Sequence, residues 1–185
     1  MVNHKKKALF LDRDGVINKS YIHNGQPHSP CHVEEFIVLN DVKDALILSK
    51  KMGFLNIIVT NQPNVARGNH SLETMEQMHE IIKSNLVIDD IFVCLHLDED
   101  ECQCRKPLPG MLLSAKIKWD LDFTKSFLVG DRWRDIEAAQ AIGCESFWID
   151  YGYNEKQPLP PYHKVGSLKE AVEKIRKLSS SRLLK

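Results

Sequence analysis

The chain has 185 residues, 43% hydrophobic and 27% charged, enough to enclose one sizeable core, with no sign of low complexity or disorder. Its 25 basic and 25 acidic residues cancel, which leaves no net field to hold a polyanion and argues against nucleic acid as a partner. No apolar run approaches the roughly 20 residues of a membrane helix, and "MVNHKKKALF" lacks the apolar region of a signal peptide. Five cysteines, three of them within "CLHLDEDECQCRK", suit a metal knot in a reducing compartment better than a secreted disulfide framework. One cytoplasmic, monomeric domain spanning residues 1–185, with no membrane partner, is the expectation.

Short β-rich runs alternate with stretches of helical period. In chain order, "KALFLD" reads as a strand ending in Asp12, with Asp14 and Gly15 just beyond. Tyr21 to His32, "YIHNGQPHSPCH", reads as a loop from its Gly, Pro and Asn, and carries His23, His28 and His32, which suit substrate contact or plain solvation equally. A helix follows near Asp41 to Met52, then the strand "FLNIIVTN" ending in Thr60 and Asn61, then a helix over Ser71 to Leu86. "DIFVCLHL" is a third strand, leading through the cysteines to Arg105 and Lys106, and a helix spans Pro109 to Trp119. "SFLVGD" ends in Gly130 and Asp131 and precedes a helix over Arg134 to Ile142; "ESFWID" is the fifth strand and "KQPLPPYHK" a loop. A last helix opens at Ser167 with a Ser167/Glu170 capping box and one face of Leu168, Val172 and Ile175, and the terminal "SSSRLLK" is expected to fray. The alternation predicts an α/β fold, a Rossmann-like doubly wound parallel sheet with helices on both faces.

Open parallel sheets bind ligands beyond the carboxyl ends of their strands. There this chain places Asp12, Asp14, Thr60, Lys106, Asp131 and, one helical turn on, Asp135. Each alone is as well explained as a turn acid, a strand threonine or a surface lysine; four in order at four strand ends read as a site. Oxygen ligands suit Mg²⁺, with Asp12 and Asp131 as carboxylate ligands and Asp14 contributing through its backbone carbonyl. A carboxylate at a rigid strand end can be a nucleophile, which makes Asp12 the candidate, with Asp14 as general acid and base. Lys106 supplies positive charge and the Thr60 hydroxyl can hold phosphate oxygens, while Asp135 is placed to orient Lys106 or a metal-bound water.

Cys94, His96, Cys102 and Cys104 follow a C-x-H-x5-C-x-C spacing, in which each pair can face one ion. Three sulfurs and an imidazole make a closed, structural Zn²⁺ site, set directly before Arg105 and Lys106. Cys31 and Cys144 fall outside it and read as ordinary thiols. Trp133 is expected at the rim of the site, and Trp119 and Trp148 in the core.

"FLDRDGVIN", "VTNQ", "CRKPLPGML" and "VGDRWRDIEAA" resemble the four ordered motifs of the haloacid dehalogenase superfamily of phosphohydrolases, in its histidinol-phosphatase and heptose-bisphosphate phosphatase branch. The likeness runs from about Ala8 to Asp150. It implies Asp12 as nucleophile, Asp14 as acid/base, Thr60 as phosphate binder, Lys106 as the stabilising lysine, Mg²⁺ on Asp12, Asp14 and Asp131, and a structural zinc. Arg132 departs from the lysine that the heptose enzymes often carry. The short span from Asn18 to Asp41 leaves no room for a cap domain, so specificity falls to loops, with Asn61, Arg67 and Arg105 as the candidate substrate contacts. Within the branch, "YIH", "EEFIVLNDV", "VARG" and "KPLPGMLLSA" resemble the heptose-bisphosphate enzymes, whereas the short loop "CLHLDEDECQCRKP" resembles the histidinol-phosphate enzymes. The implied substrate is a small phosphorylated metabolite, a heptose bisphosphate ahead of histidinol phosphate or another sugar phosphate. A phospho-receiver domain is disfavoured because its middle strand should end in Asp rather than Thr60, and an inactive binding module because the acids and lysine are intact.

Overall fold

The computed structural model describes residues 5–182. In chain order its elements are β1 (Lys7–Leu11), β2 (Tyr21–His23), β3 (Gln26–His28), α1 (Val42–Lys51), β4 (Phe54–Asn61), α2 (Leu72–Asn85), β5 (Asp90–Cys94), α3 (Gly110–Trp119), β6 (Phe127–Gly130), α4 (Trp133–Gln140), β7 (Glu145–Ile149), β8 (His163–Val165) and α5 (Leu168–Arg182). Six parallel strands form one sheet in the order β5-β4-β1-β6-β7-β8.

Residues alternate across the pleat of β1, and its two faces feed two separate cores. Leu9 and Leu11 join Ile58, Phe127 and Val129 beneath α1, α2 and α5, through Leu46, Met78 and Val172. Ala8 and Phe10 join Ile57, Val59 and Leu128 beneath α3 and α4, through Leu112, Ala115 and Ala138. Each such fully buried leucine contributes roughly 2 kcal/mol. The chain runs outward from β1 to β4 and β5 and then crosses back to β6 on the other side, so the order reverses between β1 and β6. A crevice opens beyond their carboxyl ends, where Asp12 and Asp131 lie.

Five local expectations change. The segment expected as a loop from Tyr21 contains the antiparallel hairpin β2–β3, closed by Asn24 and Gly25 at φ +52° and +74°, the left-handed pair of a tight hairpin turn. Its tip is tied down where the Asn154 amide donates to Gly25 O at 2.7 Å. The "KQPLPPYHK" segment ends in a sixth strand, since His163 and Lys164 belong to β8. β5 stops at Cys94, because His96 turns toward the cysteines instead of continuing the ladder. Ser179 to Arg182 continue α5, and the rest of the expected frayed tail lies outside the described residues. The Ser167 hydroxyl accepts from the Glu170 amide at 3.2 Å as anticipated, but the Glu170 carboxylate reaches one residue further, to the Gly166 amide at 2.7 Å. No described helix is long and apolar enough to cross a membrane.

The core also holds a charge. Arg13, between the two acids that follow β1, is fully buried. Its guanidinium donates to Asp14 at 3.1 Å and to Gln62 Oε1 at 2.9 Å, and lies 3.3 Å from His79 Nε2 of α2. Burial and the facing cations Arg13 and Lys83 push the His79 pKa down to about 4, against the weaker pull of Asp14 and Glu80. The folded protein therefore resists protonating His79 while the unfolded chain takes up the proton near 6.5. The stability this residue contributes is complete above pH 6.5 and is lost as pH falls toward 4. Urea unfolding at pH 7 and pH 5 should show wild type losing about 2 kcal/mol more than His79→Gln over that interval; equal losses would mean that His79 is not held neutral.

Candidate active site

Asp12 still belongs to the sheet through its backbone, its amide donating to Val129 O at 3.0 Å, and the chain then turns at Gly15 with φ +84°. A Cβ on Gly15 would stand 2.0 Å from Asp131 Oδ2, and one on Gly130 would stand 2.2 Å from Asp135 Cβ. Glycine at both positions is what lets the carboxylates of two strand ends converge. Oxygens of Asp12, Asp131 and Asp135 all lie within 4.8 Å of one another.

Lys106 enters this cluster from the segment between β5 and α3. Its Nζ stands 2.8 Å from Asp12 Oδ1 and 2.5 Å from Asp135 Oδ1, and donates to Val59 O at 2.7 Å. The Asn61 side chain clamps the Lys106 backbone, accepting from its amide and donating to its carbonyl at 3.0 Å each. Asn61, a candidate substrate contact, thus positions the lysine, although it also lines the cavity. Thr60 is buried with its hydroxyl accepting from Gln62 Nε2 at 2.8 Å, and does not line the cavity.

Three carboxylates against one ammonium leave an excess of buried negative charge. Burial pushes the Asp12 pKa up to about 6 against the pull of Lys106. Burial and the neighbouring Asp12 and Asp135 raise Asp131 as well. For Lys106 burial works toward neutrality, but Asp12 and Asp135 outweigh it and keep the ammonium charged. Asp131 Oδ2 accepts from the Tyr153 hydroxyl at 2.7 Å, while its Oδ1 is buried with no hydrogen-bond partner. An orphaned carboxylate oxygen amid surplus negative charge fits a hard divalent cation.

Asp14 faces a different environment. Its carboxylate accepts from Arg13 at 3.1 Å, Asn18 Nδ2 at 2.8 Å, Gln62 Nε2 at 2.8 Å and Ser29 Oγ at 2.9 Å. Burial opposes its charge, but the guanidinium and these donors hold its pKa below the usual carboxylate range. Its side chain stands apart from the carboxylate trio, and Asp135 occupies the third place in that cluster instead.

Asp12, Asp14, Lys106, Asp131 and Asp135 line a small pocket of about 50 Å³. It adjoins a cavity of about 500 Å³ whose walls carry Arg67, Arg105, Arg132 and Arg134, with His23 and His28 from the hairpin. Arg105 donates to Asp98 Oδ1 at 2.8 Å and His96 O at 3.1 Å, and Arg134 stands 3.2 Å from the same Asp98 oxygen. Arg132 pairs with Glu155 at 2.5 Å. His32 lies outside this cavity, ahead of a short 3-10 turn over Val33–Glu35. Trp133 lies beneath the Lys156 ammonium, Trp148 is buried and donates to Asp131 O, and half-buried Trp119 donates to Asp90.

Cys94, His96, Cys102 and Cys104 come together as their spacing anticipated. Cys104 Sγ stands 3.2 Å from Cys94 Sγ, 3.5 Å from Cys102 Sγ and 3.3 Å from His96 Nδ1, and the Cys94–Cys102 separation is 3.7 Å. A tetrahedral ion with bonds of about 2.3 Å to sulfur needs edges near 3.8 Å, so this donor set fits zinc with little adjustment.

Sequence reasoning missed Arg13, Asn18, Ser29, Gln62 and Tyr153. Gln62 sits inside the quoted "VTNQ" and Arg13 inside "FLDRDGVIN", so position was a signal, but nothing in a residue letter reveals a buried arginine. Tyr153 follows β7 in an irregular segment and carried no signal.

Comparison with known proteins agrees with this geometry. The HAD-hydrolase-like family model matches residues 103–171. The D-glycero-beta-D-manno-heptose-1,7-bisphosphate 7-phosphatase of Photorhabdus laumondii is 38% identical over 144 residues, 71% of this chain and 73% of that protein. The enzyme of the same name from Escherichia coli K12 is 38% identical over 146 residues, 72% of this chain and 73% of its own. The crystal structure of D,D-heptose 1,7-bisphosphate phosphatase from B. bronchiseptica, complexed with magnesium and phosphate, superposes with a TM-score of 0.79 at 29% identity, covering 93% of this chain and 99% of that one. With its acid pair, lysine and distal aspartates at the switch point of such a sheet, the chain belongs to the haloacid dehalogenase-like phosphatases, in the branch of the heptose-bisphosphate phosphatases, and is a phosphoric monoester hydrolase.

Proposed function

We propose that this phosphatase releases the 7-phosphate of D-glycero-D-manno-heptose 1,7-bisphosphate through a phosphoryl group carried on Asp12. The observation that carries the reading is the junction of a carboxylate–lysine pocket with an arginine-lined cavity. One phosphate fits the first and a second anion suits the second. The names of the similar enzymes supply the sugar.

Mg²⁺ would be held by Asp12 and Asp131, with the Asp14 backbone carbonyl and Asp135 in support, and supplies neutralisation of phosphate charge. The Asp12 carboxylate attacks phosphorus as the bond to the sugar oxygen breaks. Lys106 holds Asp12 and lies where charge grows on the phosphoryl oxygens. Asp14, an anion in the free protein, takes up a proton from solvent as substrate enters and gives it to the departing alkoxide. It then takes a proton from the water that attacks phosphorus, which frees inorganic phosphate and restores Asp12. Its four donors favour the carboxylate that this second step requires. Zn²⁺ on Cys94, His96, Cys102 and Cys104 fixes the loop that carries Arg105 and Lys106. The thiol knot suits a reducing cytoplasm, where the enzyme acts as a monomer on a diffusing metabolite.

Phosphate release with Mg²⁺ should be fastest on one anomer of the heptose bisphosphate in a panel that includes histidinol phosphate and common sugar monophosphates. Asp12→Asn should lower it at least about 1,000-fold with an unchanged circular dichroism spectrum. Fastest turnover of histidinol phosphate would reject the sugar, and a persistently active Asp12→Asn would reject the nucleophile.

Arg67→Ala should raise KM for a bisphosphate about 10- to 100-fold, the worth of one charged hydrogen bond, with kcat and the KM for a monophosphate nearly unchanged. Equal effects on both substrates would mean that Arg67 does not hold the second anion.

Elemental analysis should find one zinc per chain, and its removal by a chelator should lower the thermal midpoint by several degrees, restored by zinc and not by magnesium. A midpoint indifferent to chelation would remove zinc from the fold.

A further inference from the structure

Gln62, Arg13 and His79 form one buried group behind the Asp14 carboxylate, and its geometry points at that carboxylate. Gln62 donates from one amide to both Asp14 Oδ2 and Thr60 Oγ1, each at 2.8 Å, while its Oε1 accepts from Arg13 at 2.9 Å. Arg13 donates to both Asp14 oxygens at 3.1 Å, and its other terminal nitrogen ends on His79 Nε2. The guanidinium also lies 5.7 Å from the centre of the Phe36 ring. Each member is buried, and the three come from the β1 end, the β4 end and α2.

A buried arginine with one carboxylate neighbour could satisfy itself in several ways. Here the amide of Gln62 is locked in one orientation, because its oxygen faces a donor-only guanidinium and its nitrogen faces acceptors. His79, held neutral, presents Nε2 as the acceptor that fixes the far edge of the guanidinium. The result is a carboxylate with both oxygens restrained from inside the protein, with Asn18 and Ser29 completing its donors where it lines the small pocket.

We propose that Gln62, Arg13 and His79 are positioning residues for proton transfer by Asp14, with His79 setting Arg13 and Arg13 together with Gln62 setting the carboxylate. The inference rests on the assignment of Asp14 as the acid and base. A displacement of about 1 Å in such a group costs about 100-fold in rate, so the distant His79 has kinetic weight although it touches no substrate.

The test separates positioning from folding through the leaving group. A sugar alkoxide needs the proton from Asp14, whereas the nitrophenolate of p-nitrophenyl phosphate leaves without one. The second half-reaction needs Asp14 for both. His79→Leu and Gln62→Leu should therefore lower kcat on a sugar phosphate about 10- to 100-fold with KM within about 3-fold. On p-nitrophenyl phosphate they should give a burst of one nitrophenolate per site followed by slow turnover, the pattern also expected of Asp14→Asn. His79→Gln, which keeps an acceptor for Arg13, should restore most of the sugar-phosphate rate. Parallel loss on both substrates without a burst, or unchanged kinetics in whichever leucine variant folds, would overturn the proposal. If Asp14→Asn itself fails to separate the two leaving groups, the assignment of Asp14 falls and takes this inference with it.

Discussion

The ammonium of Lys106 is the charge on which the rest of the site depends. Removing a carboxylate from water costs several kcal/mol, and this crevice removes three of them into one neighbourhood. Lys106 answers two, at 2.8 Å and 2.5 Å, and burial has not neutralised it because those same carboxylates hold its proton. The remaining imbalance falls on Asp131, whose orphaned oxygen fits the chemistry of a divalent cation. Gly15 and Gly130 are consequences of the same demand, since a methyl group at either would occupy the space of a carboxylate. A lysine with this duty sits outside regular secondary structure, so it must be tethered. Asn61 holds its backbone from the next strand end, and the cysteine knot ends two residues before it.

Two aspartates separated by one residue are thereby given opposite characters. Asp12 shares its space with other acids and rises to about 6, while Asp14 turns into a basin of donors and is held low. Divergent environments for neighbouring carboxylates are how one site obtains two roles from one side chain type. Arg13 keeps the environments apart, because it stands between the two acids in sequence and its guanidinium goes wholly to Asp14 and the core behind it.

How far this was legible in the sequence depends on the physics of each part. The sheet and its helices were readable because apolar period is set by burial, and the clustering of the acids with Lys106 and of Cys94, His96, Cys102 and Cys104 because such residues at strand ends or in tight spacing have few other uses. The hairpin over Tyr21 to His28 was hidden because Gly, Pro and Asn mark loops and tight hairpins alike, although its Asn24–Gly25 pair was a usable signal. β8 was hidden by its three-residue length and the prolines before it. Arg13, Gln62 and Tyr153 were illegible for a deeper reason, since burial of a polar side chain is decided by partners far away in sequence. The Thr60 hydroxyl shows a related effect: expected at a phosphate, it also accepts from buried Gln62.

The mouth of the site follows a related logic at lower energetic stakes. Arg105 and Arg134 share Asp98, and Arg132 holds Glu155, so these guanidiniums are fixed in direction before any ligand arrives. Two carboxylates against four arginines leave a net positive mouth, enough to favour a phosphate without a bare cluster of like charges. Asp98 belongs to the segment between His96 and Cys102, inside the cysteine knot. The knot therefore reaches two places at once, Lys106 through Cys104 and the arginines Arg105 and Arg134 through Asp98. An ion held by Cys94, His96, Cys102 and Cys104 would fix the lysine and the arginine-lined mouth relative to one another.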